Sequence, residues 1–248
     1  MQPSSVLLVL CVMVLMLLSV SVAAGSEVRT ICWSGYTWWV KRSEEPVGPG
    51  PNWFSDSPHN VWVDRQGRLH LRITYRDGRW QCAEVVCDRS LGYGTYRFYV
   101  ASPVANMDPH VVLGMFTWSD DPAYANRETD IEFATWGDGA SPLNAQYVVQ
   151  PATSERLHRF RMDRRIAESV HSFTWLPTSV SFLSVRGRRA TPSSPSDVIQ
   201  EWRFTGADIP LRGDENPRIN LWLVGGKPPQ DGKEVEVVLT RFEFIPAP

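Results

Sequence analysis

What the chain has little of narrows the reading first. A formal net charge of −2 over 248 residues leaves no basic field of the kind that binds nucleic acid or an anionic membrane surface. The five histidines are scattered, and no Cys/His spacing matches a zinc site, so no histidine is assigned catalytic work. Cysteine is scarce. Cys11 falls inside an apolar N-terminal run, which leaves Cys32, Cys82 and Cys87. In an oxidising compartment that odd number predicts one disulfide and one buried thiol. Cys82 and Cys87 lie an odd number of positions apart, so on one regular strand they face opposite sides. Cys32 is then the expected partner of one or the other. A sustained helical period is also missing, the best helical stretch being a short one over residues 154–164. No internal repeat or long linker divides the chain, and the Pro/Ser-rich stretch 190–196 reads as a surface loop.

What is present starts with a nearly continuous apolar run over residues 6–22, followed by Ala23, Ala24 and Gly25. That pattern predicts a signal peptide over residues 1–24. No Lys or Arg precedes the run, and it is long enough to serve as an uncleaved membrane anchor. Either way the folded part, a single domain over 25–248, is expected to be secreted or held outside the cytosol. The remaining length, roughly 220 residues, suits one all-β sandwich. Tryptophan is abundant, 11 residues of 248, and a core rarely needs so many large rings with an N–H to satisfy. Most are expected in the core, with three to five lining a cleft where flat aromatic faces cover the C–H faces of sugar rings.

Short extended runs recur at 36–41, 61–64, 69–75, 94–100, 111–118, 129–135, 145–149, 172–175, 180–185, 219–224 and 235–244. Turn chemistry separates them, as at Gly48-Pro49-Gly50-Pro51, Asp77-Gly78 and Gly225-Gly226. The last run alternates with a phase slip near Arg241. Many short strands with frequent turns predict a sandwich or barrel.

The most informative segment is residues 127–133. In a strand alternate residues share a face, so Glu128, Asp130 and Glu132 project on one side and Thr129, Ile131 and Phe133 on the other. Three like charges in a row repel one another, and a use for them is the reason to keep them. Residues i and i+4 have Cα atoms about 13 Å apart at a rise of about 3.3 Å per residue. Converging Glu side chains can therefore approach the roughly 5–5.5 Å carboxyl separation of retaining glycosidases, below the roughly 6.5–9.5 Å of inverting ones. Asp130 between them raises the cost of ionising both Glu together, so that one stays an acid while the other is ionised. The plainer alternative is a solvated acidic face that binds a cation, but a regular strand lacks the loop carbonyls calcium prefers.

Glu128-Thr129-Asp130-Ile131-Glu132 resembles the E-x-D-x-E signature of glycoside hydrolase family 16, the laminarinase, lichenase and xyloglucan endotransglycosylase group. Further landmarks follow in the family's order: residues 91–96 with their GYG, the run 111–118, the region 171–187, and Asn220, Trp222, Gly225 and Gly226. The match spans about residues 30–245. The resemblance implies a concanavalin A-like β-jelly roll, two curved antiparallel sheets with a cleft across the concave face. It implies Glu128 as nucleophile, Glu132 as general acid/base and Asp130 as the assisting carboxylate. It also implies substrate contacts at Glu84, Phe116, Trp118, Trp136, Asn220 and Trp222, with Trp53 from the N-terminal loop. Three positions depart from the lichenase pattern. Asn126 stands where a Trp is usual, Thr129 replaces Ile or Leu, and Phe54 occupies the place of the cysteine that would pair with Cys82.

The expected function is a retaining endo-hydrolase of a β-linked polysaccharide, with β-glucan preferred and galactan and xyloglucan open. The alternatives are a transglycosylase with the same site, or a non-catalytic lectin-like sandwich, since this fold hosts both. No organic or redox cofactor is implied. A structural calcium occurs in some members of the family, with no ligands assignable here. The polysaccharide is the one expected partner. No partner protein is implied, and the chain is expected to be a monomer.

Overall fold

The computed structural model describes residues 28–248, so the expected signal segment lies outside the described residues. Sixteen strands carry the fold: β1 Thr30–Trp33, β2 Tyr36–Val40, β3 Trp53–Phe54, β4 Val61–Val63, β5 Leu69–Arg76, β6 Arg79–Cys87, β7 Gly94–Val100, β8 Val111–Trp118, β9 Thr129–Phe133, β10 Ala145–Val149, β11 Leu157–Phe160, β12 Ser169–Leu176, β13 Ser179–Arg186, β14 Val198–Phe204, β15 Asn216–Leu223 and β16 Val235–Pro246. One layer runs in the order β11-β10-β9-β8-β15-β6 and is extended by β2 and β1. The other runs β5-β16-β7-β12-β13-β14, with β4 on β5. The β5–β6 hairpin belongs to both, so the whole wraps almost into a barrel. All named pairings are antiparallel except β3 with β6. This is the all-β jelly-roll sandwich the sequence predicts.

Local sequence explains the layers. β7 alternates strictly, burying Gly94, Tyr96, Phe98 and Val100 and turning Thr95, Arg97 and Tyr99 outward. Tyr96, Phe98, Phe173, Trp175 and Phe242 fill the inner face of the β7 layer, and Val85, Met115, Ile131, Phe133, Tyr147 and Ile219 fill that of the β9 layer. Each such side chain contributes roughly 1.5–3 kcal/mol by leaving water. The layers meet through Phe133 on His171 (4.7 Å), Tyr147 on Phe182 (4.7 Å) and Trp38 on Phe242 (5.3 Å). A buried polar pin joins them too: the Tyr147 hydroxyl donates to Ser184 Oγ (2.5 Å), which also meets His171 Nδ1 (2.6 Å). The phase slip near Arg241 is a bulge between Leu239 and Arg241, where β16 turns from β5 to β7.

Several expectations are corrected. The stretch 154–164 holds no α-helix. Its centre is β11, an edge strand whose outer side meets solvent, so its spaced charges mimic a helical face. Strands β1, β3, β6 and β14 were not legible. The three cysteines are free. Cys32 lies on the exposed side of β1, whereas Cys82 is buried near the middle of β6 and Cys87 at its end. Burial pushes the Cys82 thiol up to about 12, which keeps it protonated.

Candidate active site

The acidic segment enters through an unusual turn. Tyr124, Ala125, Asn126 and Arg127 all have positive φ, between 50° and 61°. Left-handed backbone costs non-glycine residues roughly 1–2 kcal/mol each, and asparagine tolerates it best among them. That accounts for Asn126 at a position where the resembled family uses Trp. The turn is braced by Asn126 Nδ2 donating to the Ser119 carbonyl (2.9 Å), Thr117 Oγ1 donating to the Arg127 carbonyl (2.9 Å) and Arg127 paired with Asp121 (2.8 Å). It delivers Glu128 immediately before β9.

β9 then behaves as its alternation predicts. Thr129, Ile131 and Phe133 are fully buried toward the other layer, while Glu128, Asp130 and Glu132 line one cavity of about 400 Å³. Cross-strand register sets their neighbours. Glu132 stands opposite Gln146 on one side and Gly114 on the other, and Gly114 stands opposite Asn220, which faces Glu84. Asp130 stands opposite Phe116, which faces Arg218. Phe116, Trp118, Asn220, Trp222 and Glu84 all line the same cavity. The residues named from the sequence thus come together from β6, β8, β9 and β15.

Two are not among its lining. Trp136 stands beside it, half-buried, its ring 6.0 Å from Trp222 and its indole N–H donating to Gln146 Oε1 (3.2 Å). Trp53 is turned away, because β3 runs parallel to the opposite end of β6 and its ring is covered by the Arg79 guanidinium at 3.9 Å. Trp118 and Trp222 are therefore the two tryptophans on the cavity wall, fewer than the three to five expected, while Trp33, Trp38 and Trp175 are core.

Sequence reasoning missed Lys41, Arg218, Gln146 and Gln150. Gln146 Nε2 donates to Glu132 Oε2 (2.7 Å) and Gln150 Nε2 to Asp130 Oδ2 (3.0 Å). Lys41 pairs with the buried Glu84 (2.9 Å) and also donates to the Gly48 carbonyl (2.8 Å), drawing the Gly48–Pro49 loop into the cavity wall. Only cross-strand register, not spacing along the chain, brings these groups to the acids.

Burial dominates the electrostatics. It raises Glu132 to about 7, held back by the Gln146 amide. It raises Glu128 to about 7 as well; hydrogen bonding from Asp130 and the Arg218 charge oppose that rise, and the Glu132 charge adds to it. Asp130 is driven well above the usual carboxylate range by burial and by its two acidic neighbours. Three carboxyls crowded in one largely buried cleft share protons at neutral pH, a state suited to acid–base chemistry.

Asn220 Oδ1 is buried with no hydrogen-bond partner. It rests against Gly114, where an added Cβ would sit 2.5 Å away. A Gly114→Ala variant is expected to push the Asn220 side chain into the cavity, costing roughly 1–3 kcal/mol of stability and weakening saccharide binding. Thermal melting and isothermal titration with soluble oligosaccharides would check this. Unchanged binding would show that this floor is not used.

The architecture defines a fold class, the all-β jelly roll. Among solved structures, a Bacillus licheniformis β-glucanase matches with TM-score 0.60 and 17% identity over 84% of this chain and 91% of that one. A β-1,3-1,4-glucanase (lichenase) from a mouse hindgut metagenome matches at 0.60 and 20% over 85% and 93%. An immunostimulatory antigen and pseudo-β-1,3-glucanase of Mycobacterium tuberculosis matches at 0.60 and 20% over 85% and 91%. No family model matches the chain, and no curated protein does. Likeness at this identity establishes the fold, and the fold implied by the sequence resemblance is the one found.

Proposed function

We propose that the protein is a retaining endo-glycoside hydrolase of a β-linked polysaccharide, with β-glucan the preferred substrate. The observation that carries this reading is the convergence of Glu128, Asp130 and Glu132 on one cavity walled by Trp118 and Trp222. In the proposed reaction Glu128 attacks the anomeric carbon while Glu132 protonates the departing glycosidic oxygen. A covalent glycosyl-enzyme forms, and Glu132 then takes a proton from the water that releases it. Asp130, protonated, donates to Glu128 and spreads its charge. Trp118 and Trp222 cover sugar faces, and the unpartnered Asn220 oxygen accepts from a sugar hydroxyl. The aromatic pair lies on the far side of the acids from Gln146, so the chain of sugars would cross the strands. Export from the cytosol and action as a monomer complete the proposal.

A second reading has its own support: one protein of this fold is described as a pseudo-β-1,3-glucanase, so a non-catalytic saccharide-binding role is the alternative. The test is product release on soluble β-glucans, xyloglucan and galactans, with the anomeric configuration of the first-formed product followed by proton NMR. Cleavage with retained configuration supports double displacement. Inverted product overturns it, and binding without cleavage favours the alternative. Polymer products joined to added oligosaccharide acceptors would mark transglycosylation.

A further inference from the structure

Glu128 and Glu132 are chemically alike, follow the same alternation and both line one cavity, so something around them must break the symmetry. The row through Glu132 supplies neutral neighbours: the Gln146 amide, Gly114 and Asn220. Around Glu128 the cavity is lined differently, by Asp130 and Glu132 of its own segment, Asp120 just after β8, Arg218 from β15, Glu84 from β6 and Lys41 just after β2, and Gln150, just after β10, donates its backbone N–H to the Glu128 carbonyl. Two of these are cations. Lys41 is already committed, to Glu84 at 2.9 Å and to the Gly48 carbonyl at 2.8 Å.

Arg218 is not committed in that way. Its Nε donates to Asn216 Oδ1 (3.0 Å), two residues earlier on the same strand, which sets the plane of the guanidinium. The Trp118 ring lies 5.9 Å from its central carbon. The nearest carboxylate oxygens are those of Glu84 at 3.7 Å and Asp120 at 3.8 Å, both beyond hydrogen-bond distance. Its side chain is 16% exposed, so a full charge sits in the cleft with both terminal nitrogens short of a tight partner. A guanidinium stays charged even there.

We propose that Arg218 is the positioning residue of this carboxylate pair: its guanidinium fixes the negative charge on Glu128 and leaves the proton to Glu132. The inference rests on the acid-pair reading above. Attraction between Arg218 and Glu128 favours ionised Glu128, and mutual repulsion then favours protonated Glu132. The electrostatics agree in direction: Glu84 and Asp120 act on Arg218 ahead of Glu128, while Arg218 opposes the burial that raises Glu128 and is not among the causes acting on Glu132.

The experiment follows the side-chain carboxyl carbons of Glu128 and Glu132 by ¹³C NMR through a pH titration, in the wild type, Arg218→Met and Arg218→Lys. The pH profile of kcat/KM on β-glucan is recorded alongside. In Arg218→Met the Glu128 midpoint is expected to rise by about one pH unit while that of Glu132, relieved of part of the repulsion, falls, and the acid limb of the rate profile should follow the Glu128 midpoint. That corresponds to about a tenfold loss of kcat/KM on the acid side. Arg218→Lys should restore most of the shift, which a purely structural role would not predict. Should Arg218→Met fail to fold by circular dichroism, Arg218→Gln, which keeps a polar head beside Asn216, replaces it. A Glu128 midpoint that stays put in a folded, charge-free variant, or one that Lys does not rescue, overturns the proposal. Turnover with an unmoved acid limb sinks it while sparing the hydrolase reading. A shifted midpoint in a protein that cleaves nothing keeps the charge placement and sinks the hydrolase reading.

Discussion

Glu128→Ala and Glu132→Ala are both expected to lose β-glucan cleavage, by about 10²–10⁴-fold for the acid/base position and by at least as much for the nucleophile. The two losses should differ in kind. With an aryl glycoside whose leaving group needs no protonation, added azide should rescue each variant by a different route. In Glu128→Ala azide fills the space left by the carboxylate and displaces the aryl group once, giving a glycosyl azide of inverted configuration. In Glu132→Ala the glycosyl-enzyme on Glu128 still forms, and azide intercepts it, giving retained configuration. Proton NMR of the azide product reads the outcome directly. Products with the two configurations exchanged would reverse the assigned roles. No rescue in either variant, with saccharide binding intact, would favour the non-catalytic alternative.

The second large effect is on stability. Glu128→Gln is expected to melt at a higher temperature than the wild type at pH 8, and at about the same temperature at pH 4. The sign follows from linkage. Glu128 and Glu132 are raised from their ordinary values to about 7 in the folded protein. Between about pH 4.5 and 7 the folded state therefore binds more protons than the unfolded one, and stability falls as pH rises through that window. Below it both states are protonated and the penalty is absent. A shift of that size in one group corresponds to about 3 kcal/mol at most, shared among three interacting carboxyls. An amide of the same shape removes one charge from the cluster, and a gain of about 2 kcal/mol would raise the melting temperature by roughly 4–8 °C for a domain of this size. Differential scanning calorimetry at the two pH values decides it. An equal change at both would mean that charge crowding is not its source. Such a site is held at the expense of the fold, as expected of groups placed for chemistry.

How far this was legible in the sequence depends on the strand. Residues 94–100, 111–118 and 145–149 were bounded correctly because β-branched and aromatic residues end there against turns. β9 was legible through its alternation, which separated three acids from three core positions. β6 was not: from Gln81 to Cys87 every residue is buried, on both faces, so no period of two exists to be read. Glu84 was found only because it resembles a known motif, and its burial inside that strand explains why it needs Lys41. β11 was misread because a short edge strand bearing His158 and Arg159 and flanked by Arg156 and Arg161 spaces its basic residues much as a solvent-facing helix does. Arg218 fell just outside the run read as 219–224, because β15 starts earlier, at Asn216. Its partners are about a hundred positions away, and only the β8–β15 register joins them. Trp53 illustrates the reverse error, since a tryptophan near a loop reads as a sugar platform until a cation is found lying on it.

The contact between Trp136, Gln146 and Glu132 has a directional consequence. An indole N–H can only donate, so the oxygen of the Gln146 amide must face Trp136. The amide nitrogen is thereby turned toward Glu132, where it donates to Oε2. That oxygen is spoken for whatever the charge on the carboxyl. When Glu132 takes up a proton, the hydrogen is favoured on Oε1, the oxygen without the amide donor, and the tryptophan beside Gln146 biases which edge of the acid is armed.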